Sequence, residues 1–577
     1  MTDTLDDIAL PRPPAAARPG RHDDRLYDLV ESRFRRILRA NPVAATFLGI
    51  HTEDHRLPDG SREAVLAELE ADKAHMARVE ALDPRELSDD ARFERDLELH
   101  NLRLQVFETE VIRTWERRST ALETIGDAIF LLFARDSQPL PERLVSIAAR
   151  LDQVPTFLER SSSRAAVPQV RLWQQLEIES ARDLPFMFEE LRRAGETALG
   201  DADRARLGRA IDRATTALRE YSEWLTGGLA RGTDEWALGR ARYDELIALR
   251  AFDGLTADGI LEIGQEMLHE HRRLRRDAAI ELDPNADEPS VIERIKAEQP
   301  PDFEAALAAY RDAMYRSRTH LIERHLVTVP DDERLEVLPT PTYLRMVIPF
   351  AAYIESPPFE HRPLGLYIVT PSVDGDSNAM REHNLSSISN TSIHEAYPGH
   401  HLQLTIGGRN PSLSRLLTNA PEFVEGWGMY SEQLMRDHGF DDAPKYRVMM
   451  HTDAIWRACR IILDIRMHRG EVTPEEAVDF LVEHTAFEEP NARAEVKRYT
   501  YTPTYQLSYL LGKVLILGLR EDERRRRGVD FRLRDFHDAL LNAGSLPISF
   551  HRRLLERDAV RSAGGGRRSG ETQAAAC

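Results

Sequence analysis

The chain has 577 residues, 42% of them apolar and 30% charged, and a formal net charge of −20 at neutral pH. That composition suits a soluble globular protein with a substantial core and excludes a disordered or fibrous chain. The acidic balance repels phosphate backbones and anionic lipid surfaces, so neither nucleic acid nor a membrane is the expected partner.

The opening MTDTLDDIALPRPP is acidic and proline-rich, where a signal peptide needs basic residues followed by an apolar core. Residues 1–22 read as a disordered tail, as do residues 557–577 with their Gly, Ala and charge. Between the tails, residues 23–330 form an N-terminal helical half. Apolar residues fall three and four apart near 25–40, 61–82, 88–116, 141–160, 172–196, 202–226, 256–282 and 302–328. Residues 331–556 form a second half of different character. It begins with RLEVLPTPTYLRMVIPF and GLYIVTP, proline-punctuated and β-branched, which predict a small sheet beside a central cleft. The stretch Gly365 to Pro371 reads as a sheet edge where a peptide adds as a further strand. Helices resume after residue 388. Thr473-Pro474-Glu475-Glu476 predicts a capping box, and Thr502-Pro503 a second capped start. The fold class expected is mainly α. No run of about 18 apolar residues predicts a membrane span. Only Cys459 and Cys577 are present, which gives no disulfide framework and fits a reducing cytoplasm. The run Arg524 to Arg527 follows Glu521 and Glu523 and reads as a solvated helix face.

The chemistry concentrates at SIHEAYPGHHLQL, from position 392, where three histidines and a glutamate fall within eight residues among apolar neighbours. Buried imidazoles and carboxylates need partners, and Zn2+ satisfies them while leaving a position for water. In His-Glu-x-x-His the two histidines share a helix face. Here the position of the second ligand is Pro398. In a straight helix His394 and His401 lie close in phase but about 10 Å apart along the axis, and His400 points to the opposite side. Pro398 and Gly399 are therefore expected to break the helix and bring a later histidine back. His394 and either His400 or His401 are the expected ligands, with His401 favoured because its phase needs less correction. Glu395 is the expected general base. The third ligand expected is Glu425 in NAPEFVEGWGMYSEQLM, ahead of Glu432 two turns on, which otherwise partners a ligating histidine. Gly426 and Gly428 are costly inside a helix unless a backbone or a ligand approaches closely. Tyr505 and Tyr499 are the candidate donors to an oxyanion, although rings in such a region also fill core. Arg460, Asp464 and His468 share one helical stripe. Either Asp464 orients a ligand, or His468 touches substrate, or Arg460 and Asp464 form a structural ion pair.

HEAYPGHHLQ resembles the signature of a bacterial family catalogued as domain of unknown function 885. NPVAATFLGIHTEDHRLPD, PTYLRMVIPFAAYIESPP, FVEGWGMYSEQL, the stretch from WRACRIILDIRMH to PEEAVDFLVEHT, and RYTYTPTYQLSYLLGK resemble the family's pattern in the same order, over about residues 25–555. The resemblance implies a helical zincin-like metallopeptidase, similar to helical oligopeptidases and carboxypeptidases that hold zinc by two histidines and a downstream glutamate. Two places depart from it. The family's Asp-Thr-Gly-Ile-His is Asp464-Ile465-Arg466-Met467-His468 here, and its Pro-Gly-Gln is Pro503-Thr504-Tyr505.

The expected function is a zinc-dependent peptidase acting on short peptides in a cleft between the two halves. An amidase or deacylase using the same groups, a helical binding protein with a structural metal or none, and a non-haem iron site are the alternatives.

Overall fold

The computed structural model describes residues 4–13, 22–340, 348, 351–371, 379–485 and 487–557. Over these the chain is mainly α-helical. Many helices begin where a short polar side chain accepts the N–H three residues on: Ser61, Ser88, Thr256, Asp287, Asp302, Asn384 and Thr473 all cap in this way. The expected capping box at Thr473 and Glu476 is present. The helices Asp23–Ala40, Arg62–Glu80, Leu140–Ser162, Arg171–Ala198, Asp201–Gly228, Ala257–Leu282 and Phe303–Glu323 follow the periodic stretches of the sequence closely. Ala121–Ala134 was not foreseen. Its buried residues Ala121, Leu122, Ile125, Ala128, Ile129 and Leu132 do recur at helical spacing, so the element was legible.

The chain divides into two units. The first comprises Met1–Arg242, Leu338–Pro371 and Pro411–Leu417; the second comprises Tyr243–Val337, Ser372–Asn410 and Thr418–Cys577. Both units are discontinuous in sequence, so no single boundary replaces the one expected at 330/331, and Tyr243–Val337 falls in the unit that holds the histidines.

In the first unit, Ala121–Ala134 lies in a core with Leu140–Ser162, Arg171–Ala198 and Asp201–Gly228, through residues such as Ile125, Leu151, Phe188 and Leu218. A second cluster forms around Leu26, Phe34 and Leu38, and Leu5 joins it at 3% exposure. Residues 4–13 are thus not all free tail. Leu5 buries apolar surface, and Arg12 bonds Asp28 at 2.8 Å and Asp24 at 3.0 Å. The other residues of the two expected tails lie largely outside the described residues.

The sheet has the order β1-β3-β2, with β1 Leu335–Pro339, β2 Ala351–Ile354 and β3 Gly365–Val369. β2 and β3 are antiparallel, with Ala352 opposite Ile368 and Tyr353 opposite Tyr367. β3 is the middle strand and is buried along its length. The expectation that Gly365 to Pro371 offers a free edge for an added peptide is therefore wrong, because both sides of that strand are already paired. Most of TYLRMVIPF, from 341 to 350, lies outside the described residues.

The second unit carries the histidine motif. Its long helix Pro444–His468 crosses Ala257–Leu282 tightly. A Cβ at Gly264 would sit 2.7 Å from Ile461 Cγ2. The helix Pro421–Asp437, here the glycine helix, crosses Ser508–Arg527 closer still, with Gly426 facing Gly512. A Cβ on Gly426 would lie 2.5 Å from the carbonyl carbon of Gly512. No helix among the described residues is long and apolar enough to cross a membrane.

One buried carboxyl in the first unit gives a stability prediction. Glu177 is 4% exposed, and its Oε2 has no hydrogen-bond partner among the described residues. Burial pushes its pKa from 4.5 up to about 8. The protonated group is tolerated in the fold while the unfolded chain ionises freely, so this contribution to stability is lost as pH rises from about 4.5 through about 8. Glu177→Gln should be close to neutral at pH 4 and stabilising by on the order of 2 kcal/mol at pH 8, read from denaturant midpoints.

Candidate metal centre

The helix Leu385–Glu395 is capped by Asn384 and ends at the glutamate of the motif. The chain then leaves helical geometry at Ala396 (φ −108, ψ −88) and resumes it only after Gly399 (φ −67, ψ −138), where the helix His400–Gly407 starts. The Tyr397–Pro398 peptide bond in the break is cis. Gly399 N–H donates to the carbonyl of Ile393 at 3.0 Å. A Cβ at position 399 would lie 1.8 Å from the carbonyl oxygen of His394, so no side chain fits there. Trp427 of the glycine helix closes the turn by donating its indole N–H to the carbonyl of Pro398 at 2.7 Å.

The break brings His394, His400 and Glu425 together, with one donor atom from each within 4.8 Å of the others. The two imidazoles stand at 89°, with ring centres 4.7 Å apart. Glu425 Oε2 is 3.6 Å from His394 Nε2 and 3.4 Å from His400 Nε2. These separations exceed those of good N–H···O bonds. They match the edge of a tetrahedron with metal–ligand bonds of ~2.0–2.1 Å, which is about 3.4 Å. The donor set, two imidazole nitrogens and a carboxylate oxygen, is that of a catalytic zinc site.

Two of the three side chains are held from behind, while His400 Nδ1 has no hydrogen-bond partner among the described residues. His394 Nδ1 is 2.8 Å from Glu432 Oε1, and the other oxygen of Glu432 accepts from Asn390 at 3.0 Å. With Nδ1–H donated to Glu432, the Nε2 lone pair points to the centre. Asn390 also donates to Asp453 at 3.0 Å. Tyr505 donates its hydroxyl to Glu425 Oε1 at 2.7 Å, leaving Oε2 for the histidines. Gly428 makes room for the first imidazole, since a Cβ there would lie 2.6 Å from His394 Cε1. Burial alone would make His394 harder to protonate, but Glu425 and Glu432 outweigh it and push it up to about 10. Burial would raise Glu425, yet the two histidines hold it well below the carboxylate range. Both shifts say that the centre favours positive charge.

The preference for His401 over His400 is reversed. His401 is fully buried, with Nε2 2.7 Å from Glu333 Oε2. Tyr397 donates to the same carboxylate at 2.6 Å, and Arg318 donates to its other oxygen at 2.8 Å. Burial would raise Glu333, but His401, Tyr397 and Arg318 bring it down to about 2. The phase argument failed because the two helices do not share one register: a new helix starts at His400. Glu432, the alternative ligand, orients His394 instead of joining the centre.

Glu395 is the last residue of its helix and is half-buried. Tyr505 reaches the centre as expected, but from a different local structure. The chain turns at Thr504, and a helix starts only at Ser508. Thr504 adopts φ 67, which favours glycine, and Asp464 accepts its N–H at 2.9 Å. Tyr509 follows, its hydroxyl 3.3 Å from that of Tyr505.

Tyr499 and His468 are corrected. Tyr499 is fully buried, its hydroxyl bonded to Trp456 Nε1 and Arg460 Nε at 3.2 Å each. His468 is buried, stacked on Tyr243 and 3.0 Å from the Tyr499 carbonyl oxygen. Asp464 and His468 meet Tyr243 of the helix Arg240–Arg250, and Tyr499 ends the separate helix Glu489–Tyr499 packed on Trp456 and Arg460, so Tyr499 and His468 both belong to core. Asp464 accepts from Tyr243 at 2.6 Å, and Arg460 pairs with Glu495 at 2.9 Å, not with Asp464. Two partners were missed. Asn390 was legible, standing one turn before His394 on the same face. Glu333 was not, because no local pattern ties it to residue 401.

The chain belongs to the family described as "Bacterial protein of unknown function (DUF885)", whose model matches residues 42–555. No curated protein matches it. Among solved structures it is similar to a candidate lipoprotein of unknown function from Shewanella oneidensis. The two have 22% identity and a TM-score of 0.75, over 92% of this chain and 99% of that one. It is also similar to a candidate lipoprotein from Colwellia psychrerythraea, with 19% identity and a TM-score of 0.79, over 92% of this chain and 98% of that one. These likenesses show a shared fold.

The geometry separates the adjacent histidines experimentally. His400→Ala should abolish stoichiometric zinc binding in elemental analysis, whereas His401→Ala should retain it. Glu432→Gln should weaken zinc about 10–100-fold in competitive chelation.

Proposed function

We propose that this protein is a zinc-dependent peptidase that hydrolyses peptide bonds of short peptides, with His394, His400 and Glu425 as zinc ligands and Glu395 as general base. The observation that carries the reading is the convergence of those three donors within 4.8 Å, with a glutamate next in sequence to the first. Zinc held there supplies a Lewis acid that lowers the pKa of water to about 7 and polarises a carbonyl oxygen.

The residues of the chain supply the rest. Glu395 takes a proton from the attacking water as its oxygen bonds to the substrate carbonyl carbon. It then delivers that proton to the leaving nitrogen as the C–N bond breaks, releasing a carboxylate and an amine. Glu432 keeps His394 in the tautomer that presents Nε2. Tyr505 donates its one hydroxyl hydrogen to Glu425 and fixes that carboxylate, so the phenol proposed to donate to the developing oxyanion is Tyr509, its hydroxyl 3.3 Å from that of Tyr505.

Purified protein should lose hydrolysis of a short-peptide library on chelation and regain it with zinc. Glu395→Gln should keep zinc and lose activity by about a hundredfold or more. A fully active Glu395→Gln protein would overturn the assignment of the base, and activity confined to acyl-amide substrates would overturn the peptide assignment.

A further inference from the structure

We propose that Arg457 is the anchor for the free C-terminal carboxylate of the substrate, which makes the centre an exopeptidase acting at chain ends. The proposal deepens the hydrolase reading and rests on it.

The observation starts on the helix Pro444–His468, where Asp453, Trp456, Arg457 and Arg460 fall at i, i+3, i+4 and i+7 and so share a face. The two arginines lie against the same indole, with guanidinium carbons 3.9 Å and 4.0 Å from the ring centre of Trp456. Their hydrogen bonding differs. Arg460 is 3% exposed and is satisfied by Glu495 at 2.9 Å and by Tyr499 at 3.2 Å. Arg457 is half-buried, and its contacts with the carbonyl oxygen and Oδ1 of Asp453 are both 3.4 Å. That is well beyond the ~2.7–2.9 Å of a charge-assisted bond. Its Nε has no hydrogen-bond partner among the described residues. The planar donor fork thus lies over an aromatic ring with its carboxylate partner, Asp453, at a long 3.4 Å, an arrangement that leaves room for bidentate capture of a second carboxylate.

Two chains of contact tie this fork to the centre. Asp453 shares Asn390 with Glu432, which holds His394. On the other side, the Arg457 guanidinium lies 5.9 Å from the Tyr509 ring, and Tyr509 leads through Tyr505 to Glu425. Asp453, Trp456, Arg457, Tyr505, Tyr509 and Glu425 are all half-buried, so each retains accessible surface. A peptide whose scissile carbonyl lies at the zinc ligands, with its last residue against Tyr509, would bring its terminal carboxylate to Arg457. Only a substrate with a short stretch beyond the scissile bond fits this span.

The test uses zinc-loaded protein and matched tripeptides that differ only in a free or an amidated C-terminus. Wild type should favour the free acid by about thirty-fold or more in kcat/KM, carried mainly by KM. Arg457→Gln should bring the ratio to about one, and Arg457→Lys should restore part of it. Calorimetry on the metal-free chain supplies a readout independent of turnover: the free-acid peptide should bind more tightly than its amide in wild type and equally in Arg457→Gln. Equal cleavage of acid and amide by wild type, or a preference that survives Arg457→Gln, would overturn the role of Arg457 and leave the hydrolase intact. Absence of zinc-dependent cleavage of either peptide would overturn the hydrolase reading and this inference with it. If Arg457→Gln does not fold, Arg457→Lys carries the comparison: a preference reduced several-fold supports the role of Arg457, and one unchanged from wild type overturns it.

Discussion

The centre depends on one backbone event, the interruption of helical geometry between Glu395 and His400. In a continuous helix the imidazoles of His394 and His400 would point to opposite sides. The interruption sets a second helix on its own register and turns the two rings perpendicular to each other at the glycine helix. Gly399 permits the close return of the chain, because the space a Cβ would need is taken by the carbonyl of His394. Trp427 and Glu333 then hold the turn from two directions, one at the Pro398 carbonyl and one through Tyr397 and His401.

Around that turn, the scaffold brings main chains unusually near to one another. Gly426 and Gly512 let two helices meet at backbone distance, and Gly428 leaves the hollow that receives the imidazole of His394. Helices packed in this way have little freedom to shift, so His394 and Glu425 are positioned by rigid elements. The same tightness buries Glu432 and leaves Glu425 only partly exposed, so their charge is balanced by histidine protons or a cation. Burying two carboxylates beside two imidazoles without such a balance is strongly unfavourable.

Much of this was legible in the sequence, and the reason differs from residue to residue. Most helices with an apolar stripe are legible nearly to their ends, and Ala121–Ala134 carries such a stripe too, in Ala121, Leu122, Ile125, Ala128, Ile129 and Leu132. The interruption at Pro398 and Gly399, the first ligand and the unusual glycines could be read because each follows from local backbone rules. The choice between His400 and His401 could not, since helical phase carries no information across a break. His468 was misplaced because a stripe tells which residues align but not what it faces, and Tyr499, on another helix, because nothing local shows that its hydroxyl meets Trp456 and Arg460. Glu333 lies more than sixty residues from its partner His401, and only the fold brings the two together.

The domain boundary failed for a related reason. The helices Ala257–Leu282 and Phe303–Glu323 look like their predecessors in sequence, yet they pack with Pro444–His468 and Leu385–Glu395, in the unit that holds the histidines. Helical pattern reports a helix, not its neighbours.

The most direct measurement is zinc-edge anomalous diffraction from crystals of the zinc-loaded protein. The account predicts one strong peak per chain, at ~2.0–2.2 Å from Nε2 of His394, Nε2 of His400 and one oxygen of Glu425, with a fourth position open to solvent. A zinc peak coordinated by His401 and Glu333, or three side chains that stay apart with no metal between them, would contradict it.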